Sequence, residues 1–258
     1  MTATIWALPS RNQRILRHLL FALLVFGAWE IGGRLTNPIL LPPFSSVVVA
    51  FSEILLDGSL IEAMAESLRL LFIGFGIAAV VAFVMGIVIG RYRSLDQMLS
   101  PFINALYATP DIALVPLILV WFGFGLPGRV VVVFLAAFFA ILYNVYAGVK
   151  DAPRDLIEVS RSFGVRSELG ILRAVVLPSA VPFIMAGLRL GIGRAVVGMA
   201  IAEVFLRLGG IGGLIMGYGS AFRTDFLIAS IISLPLLGIA LTKIFARIEH
   251  RFEYWRTV

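Results

Sequence analysis

The stretch from Leu68 to Gly90 reads LRLLFIGFGIAAVVAFVMGIVIG, with Arg69 as its one charged residue. An α-helix rises 1.5 Å per residue, so a run of this length crosses the roughly 30 Å of hydrocarbon in a bilayer. A surface helix of a soluble protein would instead show a polar face at every turn. This stretch therefore predicts a transmembrane helix.

Apolar runs of similar length recur along the whole chain. Of its 258 residues, 60% are hydrophobic and 14% are charged, and the mean hydropathy is +1.01, well above that of ordinary globular domains. The candidate spans are His18–Leu35, Leu68–Gly90, Phe102–Phe122, Val130–Val149, Val181–Phe205 and Phe226–Ala246. We expect an all-α, polytopic membrane protein with about six transmembrane helices.

The positive charges lie mainly in the loops between these spans. Fourteen Lys and Arg residues fall on the side that carries both termini, and five fall on the other side. Because cytoplasmic segments carry the excess of positive charge, both termini are predicted to be cytoplasmic. The net charge of +6 thus follows from membrane topology and does not call for nucleic-acid binding.

The cytoplasmic loop between the fourth and fifth spans is longer than a connection requires. It covers Lys150–Val181 and reads KDAPRDLIEVSRSFGVRSELGILRAVVLPSAV. The pattern predicts a helix over 155–162, a break at Gly164, and a second helix over 167–176 that Pro178 ends. Such a compact, charged projection is suited to fit a groove on a soluble partner.

Residues of this loop resemble the EAA loop of binding-protein-dependent ABC importer permeases. The family pattern is EAA, three residues, G, nine residues, I, one residue, LP. The spacing from Glu158 to Gly164 matches, and Leu177 and Pro178 follow at roughly the family interval. The departures are mild, because Val159 and Ser160 replace the two alanines of the pattern.

Two further segments resemble the nitrate, sulfonate and taurine branch of the same family. They are TPDIALVPLILVWFGFG, from Thr109 to Gly125, and GLRLGIGRAVVGMAIAEVF, from Gly187 to Phe205. Together with the loop, the resemblance covers roughly residues 67–248. It implies a type I-like importer permease fold and a location in the bacterial cytoplasmic (inner) membrane.

The resemblance also implies which subunits this chain assembles with and what each of them does. Two permease chains would form a pathway, a dimer of cytoplasmic ABC ATPase subunits would bind the loops, and a periplasmic or extracellular binding protein would deliver the solute. A single type of permease chain would make a homodimer the simplest assembly. The residues expected to couple this chain to the ATPase are Glu158, Arg161, Gly164, Arg166 and Pro178.

The chain is thereby divided into three parts. Residues 1–66 are expected to hold a cytoplasmic tail, the first transmembrane helix and an external loop. That loop, Thr36–Ser67, is too polar to span the bilayer and is expected to carry a short surface helix. Residues 67–248 would form the core permease domain with the coupling loop 150–181, and residues 249–258 a cytoplasmic tail.

Several kinds of chemistry are excluded by inspection. A P-loop requires GxxxxGK[ST], and neither lysine, Lys150 or Lys243, stands in such a run. ATP and Mg²⁺ are therefore expected in the partner ATPase, with no cofactor in this chain. The chain has no cysteine and two histidines, His18 and His250, near its ends, so we predict no metal site and no catalytic residues.

Four charged residues within or near the spans are candidates for the solute pathway. Arg189 and Arg194 lie in the fifth span, where an unpaired charge costs several kcal/mol. We hypothesise that they attract a small anionic solute such as a sulfonate, nitrate, taurine or a related organic acid. Asp111 or Glu203 would neutralise them when the pathway is empty. The alternatives are a structural ion pair that fixes one helix against another, or an arginine that snorkels to the membrane interface.

Packing is the expected role of the other unusual residues in the spans. Glycines at 187, 191 and 198 predict close helix contacts along the fifth span. Pro110 and Pro116 predict kinks in the third span.

Two other function classes compete with the importer permease. An ion-coupled secondary transporter would show repeated halves with broken helices, and the chain has no convincing repeat. An intramembrane enzyme would carry HExxH, GxSxG or a histidine at membrane depth, which this sequence lacks beyond His18 near its start.

Overall fold

The computed structural model of the protein describes residues 11–206 and 209–252, and all regular structure within these ranges is helical. The helices are α1 (Arg11–Leu35), α2 (Phe44–Leu56), α3 (Ser59–Arg91), α4 (Arg93–Ala108), α5 (Asp111–Phe122), α6 (Leu126–Lys150), α7 (Arg154–Ser162), α8 (Glu168–Ile171), α9 (Leu177–Leu206), α10 (Gly210–Ser220) and α11 (Thr224–Phe252). The tail residues 1–10 and 253–258, and Arg207, lie outside the described residues.

The helices form a bundle whose two ends are marked by ion pairs. At the basic end, which holds the coupling loop 150–181, Lys150 Nζ at the end of α6 lies 2.9 Å from Asp96 Oδ2 near the start of α4. At the opposite end, Arg129 Nη1 near the start of α6 lies 3.3 Å from Glu66 Oε1 on α3. Because α4 starts at the basic end and α6 starts at the opposite end, the α4–α5 pair connects the two ends.

Six crossings follow from this arrangement. Five helices or helical runs are long and apolar enough to cross a membrane, and the α4–α5 pair supplies a sixth when counted as one span. The prediction of an all-α protein with about six transmembrane helices is confirmed.

The third span differs from the single kinked helix that was predicted over Phe102–Phe122. Its two helices meet at a bend of 104°, with the break at Thr109 and Pro110. Proline has no N–H to donate and disfavours helical backbone at the residue before it, so the chain leaves the helix here. Pro116 lies inside α5 without ending it.

The predicted external loop Thr36–Ser67 is more ordered than expected. α3 starts at Ser59, so its first turns lie in the region assigned to the loop. The short helix α2 is present, and it buries Val47, Ala50 and Ile54 in a cluster with Phe226 of α11. Glu53 of α2 and Glu62 of α3 are exposed, whereas Ser67 at the end of this region is fully buried.

The centre of the bundle is α6, which packs between α3 and α9 through glycines on both neighbours. A Cβ on Gly198 of α9 would lie 2.6 Å from Ala136 Cβ, and one on Gly191 would lie 2.5 Å from Ile141 Cγ1. Gly86 of α3 meets the other side of α6 in the same way. The predicted close packing along the fifth span is confirmed, and its partner is α6 of the same chain.

Candidate functional site

The coupling loop folds into a helix, a glycine turn and a second helix at the basic end. α7 follows Pro153 and none of its residues is buried. Gly164 has a φ of +91°, a conformation that side chains with a Cβ rarely adopt. Ser167 then caps α8, because its hydroxyl oxygen accepts a hydrogen bond of 3.1 Å from the N–H of Gly170. Together α7, the glycine turn and α8, residues 154–171, form a projection from the bundle that we call the knob.

The expected helix end at Pro178 is wrong. α8 continues through a π-helical turn, Leu172–Val176, directly into α9, so that residues 168–206 form one helical run. Pro178 is the second residue of α9 and is half-buried. A π-helical turn changes the hydrogen-bond pattern from i−4 to i−5, which relieves the conflict between a proline ring and the preceding turn. The second helix of the knob is therefore continuous with a transmembrane helix.

Apolar side chains on the knob are exposed, a feature that sequence reasoning missed. Phe163, next to the glycine turn, is 86% exposed, and Leu156, Val159 and Leu169 are about half exposed. Exposed apolar side chains grouped on a charged projection are typical of a surface that a partner covers. The signal in the sequence was the apolar spacing of Leu156 and Val159 within an otherwise polar helix.

The charged coupling residues of the knob fall into two groups. Glu158 and Arg166 are exposed, as a contact with a partner would require. Arg161 is also exposed, but its Nη2 lies 3.8 Å from Glu168 Oε1, and the other oxygen of Glu168 pairs with Arg91 at the end of α3. Glu168 therefore joins α7 and α8 to α3. Because 77 positions separate Glu168 from Arg91, no local pattern could have predicted this link.

A second polar cluster fixes the helix that leads into the knob. Lys150 Nζ donates to the hydroxyl of Tyr146 at 2.8 Å, and that hydroxyl donates to Asp96 Oδ1. Lys150 also pairs with Asp96 Oδ2. The cluster joins the last turn of α6 to the first turn of α4, so the knob is tied to the bundle at its start as well as at Glu168.

The arginines of the fifth span occupy different environments. Arg189 Nε lies 3.2 Å from Glu249 Oε2 on α11, which is the interhelical pair that the sequence left open as an alternative. The side chain of Arg194, near the middle of α9, is exposed on the surface of the single chain. Asp111 is the first residue of α5, and its side chain lies outside the described part of the structure. A pathway role for these residues stays a prediction.

Glu203 is buried between neighbouring helices of the single chain. Its side chain is fully buried, and its carboxylate accepts hydrogen bonds from Ser67 Oγ at 2.7 Å and from the N–H of Gly212 at 3.0 Å. These partners are on α3 and α10, at the opposite end of the bundle. The carboxylate thus contacts neutral donors of neighbouring helices, and its expected role opposite Arg189 and Arg194 stays a prediction.

Metal chemistry has no candidate site in the part of the chain that the structure describes. Within residues 11–206 and 209–252, no group of three or more His, Cys, Asp or Glu side chains is placed to hold a metal ion.

Comparison with known proteins extends these observations to most of the chain. Residues 79–254 match the family model described as binding-protein-dependent transport system inner membrane component. A Bacillus subtilis protein assigned as an aliphatic sulfonates transport permease is 30% identical, over 93% of this chain and 88% of its own length. The taurine transport system permease protein of Escherichia coli is 27% identical, over 97% and 93%. Among solved structures, an inward-facing MetNI methionine ABC transporter has a TM-score of 0.65 at 22% identity, covering 75% of this chain and 95% of the other.

Proposed function

Because this chain belongs to the family of binding-protein-dependent transport system inner membrane components, we propose that it imports a small anionic solute with ATP hydrolysed by a separate subunit. The chain is the multi-pass membrane permease of an ABC importer. Family membership also decides against the ion-coupled secondary transporter that the sequence left as the alternative.

The coupling loop is the observation that carries this proposal. It projects from the basic end, carries exposed Glu158 and Phe163, and is continuous with α9. A displacement of the knob would therefore be transmitted to a transmembrane helix without an intervening flexible link. A dimer of ABC ATPase subunits, holding ATP and Mg²⁺, is the partner whose groove this surface would fill.

The solute class rests on the relatives and on one arginine. The two relatives are named for aliphatic sulfonates and for taurine, which both carry a sulfonate group. Arg194 is exposed on the surface of the single chain at mid-membrane depth, where a second copy of the permease would enclose it. A guanidinium in that position favours an anion, and its planar donors suit a sulfonate.

The assembly and its orientation complete the proposal. Two copies of this chain would surround the pathway, with a binding protein on the external side. The basic end would face the cytoplasm, because it gathers the Lys and Arg residues of four segments. Both termini then lie on the cytoplasmic side of the inner membrane.

The test is co-expression of this chain with its cognate ATPase subunit, followed by co-purification and measurement of ATP hydrolysis. Glu158→Ala removes an exposed carboxylate from the knob, and Gly164→Val adds a β-branched side chain at a φ of +91°, where such residues are strained. Both variants should release or uncouple the ATPase. The matched control is Glu53→Ala, an exposed carboxylate on α2 away from the knob, which should leave the complex unchanged.

Size-exclusion profiles of the isolated variants check that the membrane fold survives. A wild-type chain that never engages an ATPase would refute the coupling role. Equal effects of Glu53→Ala and Glu158→Ala would also refute it, since the loss would then not be specific to the knob.

A further inference from the structure

The short helix α10 starts on a polar network at the opposite end of the bundle. The N–H groups of its first three residues all point at side chains of other helices. Gly210 donates to Glu66 Oε2 at 2.9 Å, Ile211 to Ser67 Oγ at 2.9 Å, and Gly212 to Glu203 Oε2 at 3.0 Å. Helix starts lack intrahelical partners for these donors, so this network satisfies them.

The acceptors are held in place by one another. The hydroxyl of Ser67 donates to Glu203 Oε1 at 2.7 Å while it accepts from α10, and both side chains are fully buried. Glu66 is paired with Arg129 of α6 at 3.3 Å. Two carboxylates therefore stand at the positive end of the α10 dipole, and the network joins α3, α6, α9 and α10.

Three glycines make the approach possible. Gly209 and Gly210 both have a φ of +64°. A Cβ on Gly209 would collide with the carboxylate of Glu66, and one on Gly210 or Gly212 would collide with Glu203. The backbone reaches the two carboxylates because these positions have no side chain.

Full burial in α10 is confined to its first turn, although half-buried Leu214, Ile215 and Tyr218 further along also pack on the bundle. Its buried residues are Gly210, Ile211 and Gly212, all in the first turn, and the residues after them are half-buried or exposed. Hydrogen bonds to a carboxylate are strengthened in a buried, water-poor setting. The network thus sets the position of the first turn of α10.

We propose that Glu203 is a positioning residue which, together with Ser67, seats the start of α10 on α3 and α9. The placement of α10 at the external mouth of the pathway rests on the proposed function. The seating itself rests on the contacts above.

Access of a thiol reagent to the first turn of α10 tests the seating. The chain has no cysteine, so an Ile211→Cys reporter is its one thiol. Ile211 is fully buried, and its N–H bond to Ser67 is unaffected by the change of side chain. In membranes of cells that express the complete transporter, Glu203→Gln and Ser67→Ala should each raise the rate of maleimide labelling about tenfold, the factor expected for loss of a buried hydrogen bond.

Three controls separate this effect from general loosening. Glu62→Gln changes an exposed carboxylate one turn before Glu66 and should leave labelling of Ile211→Cys unchanged. A Gly217→Cys reporter is exposed, with open space around its Cβ, and should label at one rate in every background. An Ala137→Cys reporter, buried in α6, should stay protected in every background.

Unchanged labelling of Ile211→Cys in both network variants would overturn the proposal, and so would equal rises at 211 and 137, because the bundle would then be loosened as a whole. If Glu203→Gln does not accumulate in the membrane, Ser67→Ala alone decides. Failure of the ATPase to bind would count against the proposed function and would leave the comparison of labelling rates intact.

Discussion

Gly191→Ala should destabilise the bundle although it adds a single methyl group. The new Cβ would lie 2.5 Å from Ile141 Cγ1 and 2.8 Å from Ile141 Cδ1, against a normal carbon contact of about 3.5–4.0 Å. Ile141 is itself fully buried, so it cannot move without displacing its neighbours. Overpacking of this kind costs about 1–3 kcal/mol.

Gly193→Ala on the same helix is the matched control. Its Cβ would meet Thr242 Cγ2 at 3.6 Å, an ordinary contact. Both substitutions gain the same helix propensity, up to about 1 kcal/mol, so the difference between them isolates the steric conflict. We expect Gly191→Ala to be less stable than Gly193→Ala by about 1–3 kcal/mol in SDS unfolding titrations of protein in bicelles, followed by tryptophan fluorescence.

A third variant identifies the atoms responsible. Ile141→Ala removes both Cγ1 and Cδ1, so the Gly191→Ala, Ile141→Ala double variant should lose less stability than the sum of the two single changes. Equal stability of Gly191→Ala and Gly193→Ala would refute the close α6–α9 contact. Strict additivity in the double variant would show that Ile141 is not the obstructing side chain.

Three further predictions concern two ion pairs and the glycine turn of the knob. Reversing the charge of either Arg189 or Glu249 should lower the stability by about 0.5–1 kcal/mol in the same titrations, because the pair is half-exposed, and exchanging the two charges should restore it. If the exchange restores stability but not solute uptake, the result would instead favour a solute contact for Arg189. Asp96→Asn should weaken the α4–α6 joint in the same titrations, and Lys150→Met should not add fully to that loss, since the two residues share one cluster; fully additive losses would argue against the cluster. Gly164→Ala should reduce co-purification of the ATPase more than Gly164→Asn does. Asparagine tolerates positive φ better, whereas alanine in this conformation costs about 1–2 kcal/mol. The reverse order would argue against a role for this backbone conformation.

The membrane architecture could be predicted because hydrocarbon imposes a length and a polarity that hydropathy measures directly. α1, α3, α6, α9 and α11 each contain a predicted span, and the glycines of α9 correctly indicated close packing. Whether a proline ended a helix could not be predicted, because it depended on the surrounding structure. Pro110 breaks a span, whereas Pro178 sits in the first turn of a helix that continues from the knob.

The polar contacts that organise the site could not be predicted, because their partners are far apart in sequence. Ser67 and Glu203 are separated by 136 positions, so an acid near the outer part of a span gave no sign of a buried neighbour. The nearest local signal was the group of glycines at 209, 210 and 212, which allows backbone to approach a carboxylate. On the knob, residue types alone could not separate Arg161, which pairs with Glu168, from exposed Arg166.

The near isolation of α1 bears on how the chain is made. None of its apolar window is buried by protein, and its described bonds are local, such as the indole N–H of Trp29 to the carbonyl of Pro42 at 3.1 Å and the N–H of Ser45 to Glu30 at 2.9 Å. A helix leaving the ribosome early can therefore settle in lipid before any later span exists, as a two-stage assembly requires. α6, in contrast, gains its second glycine-rich neighbour only after α9 has been synthesised, so the close-packed centre is completed late, between helices that are already inserted.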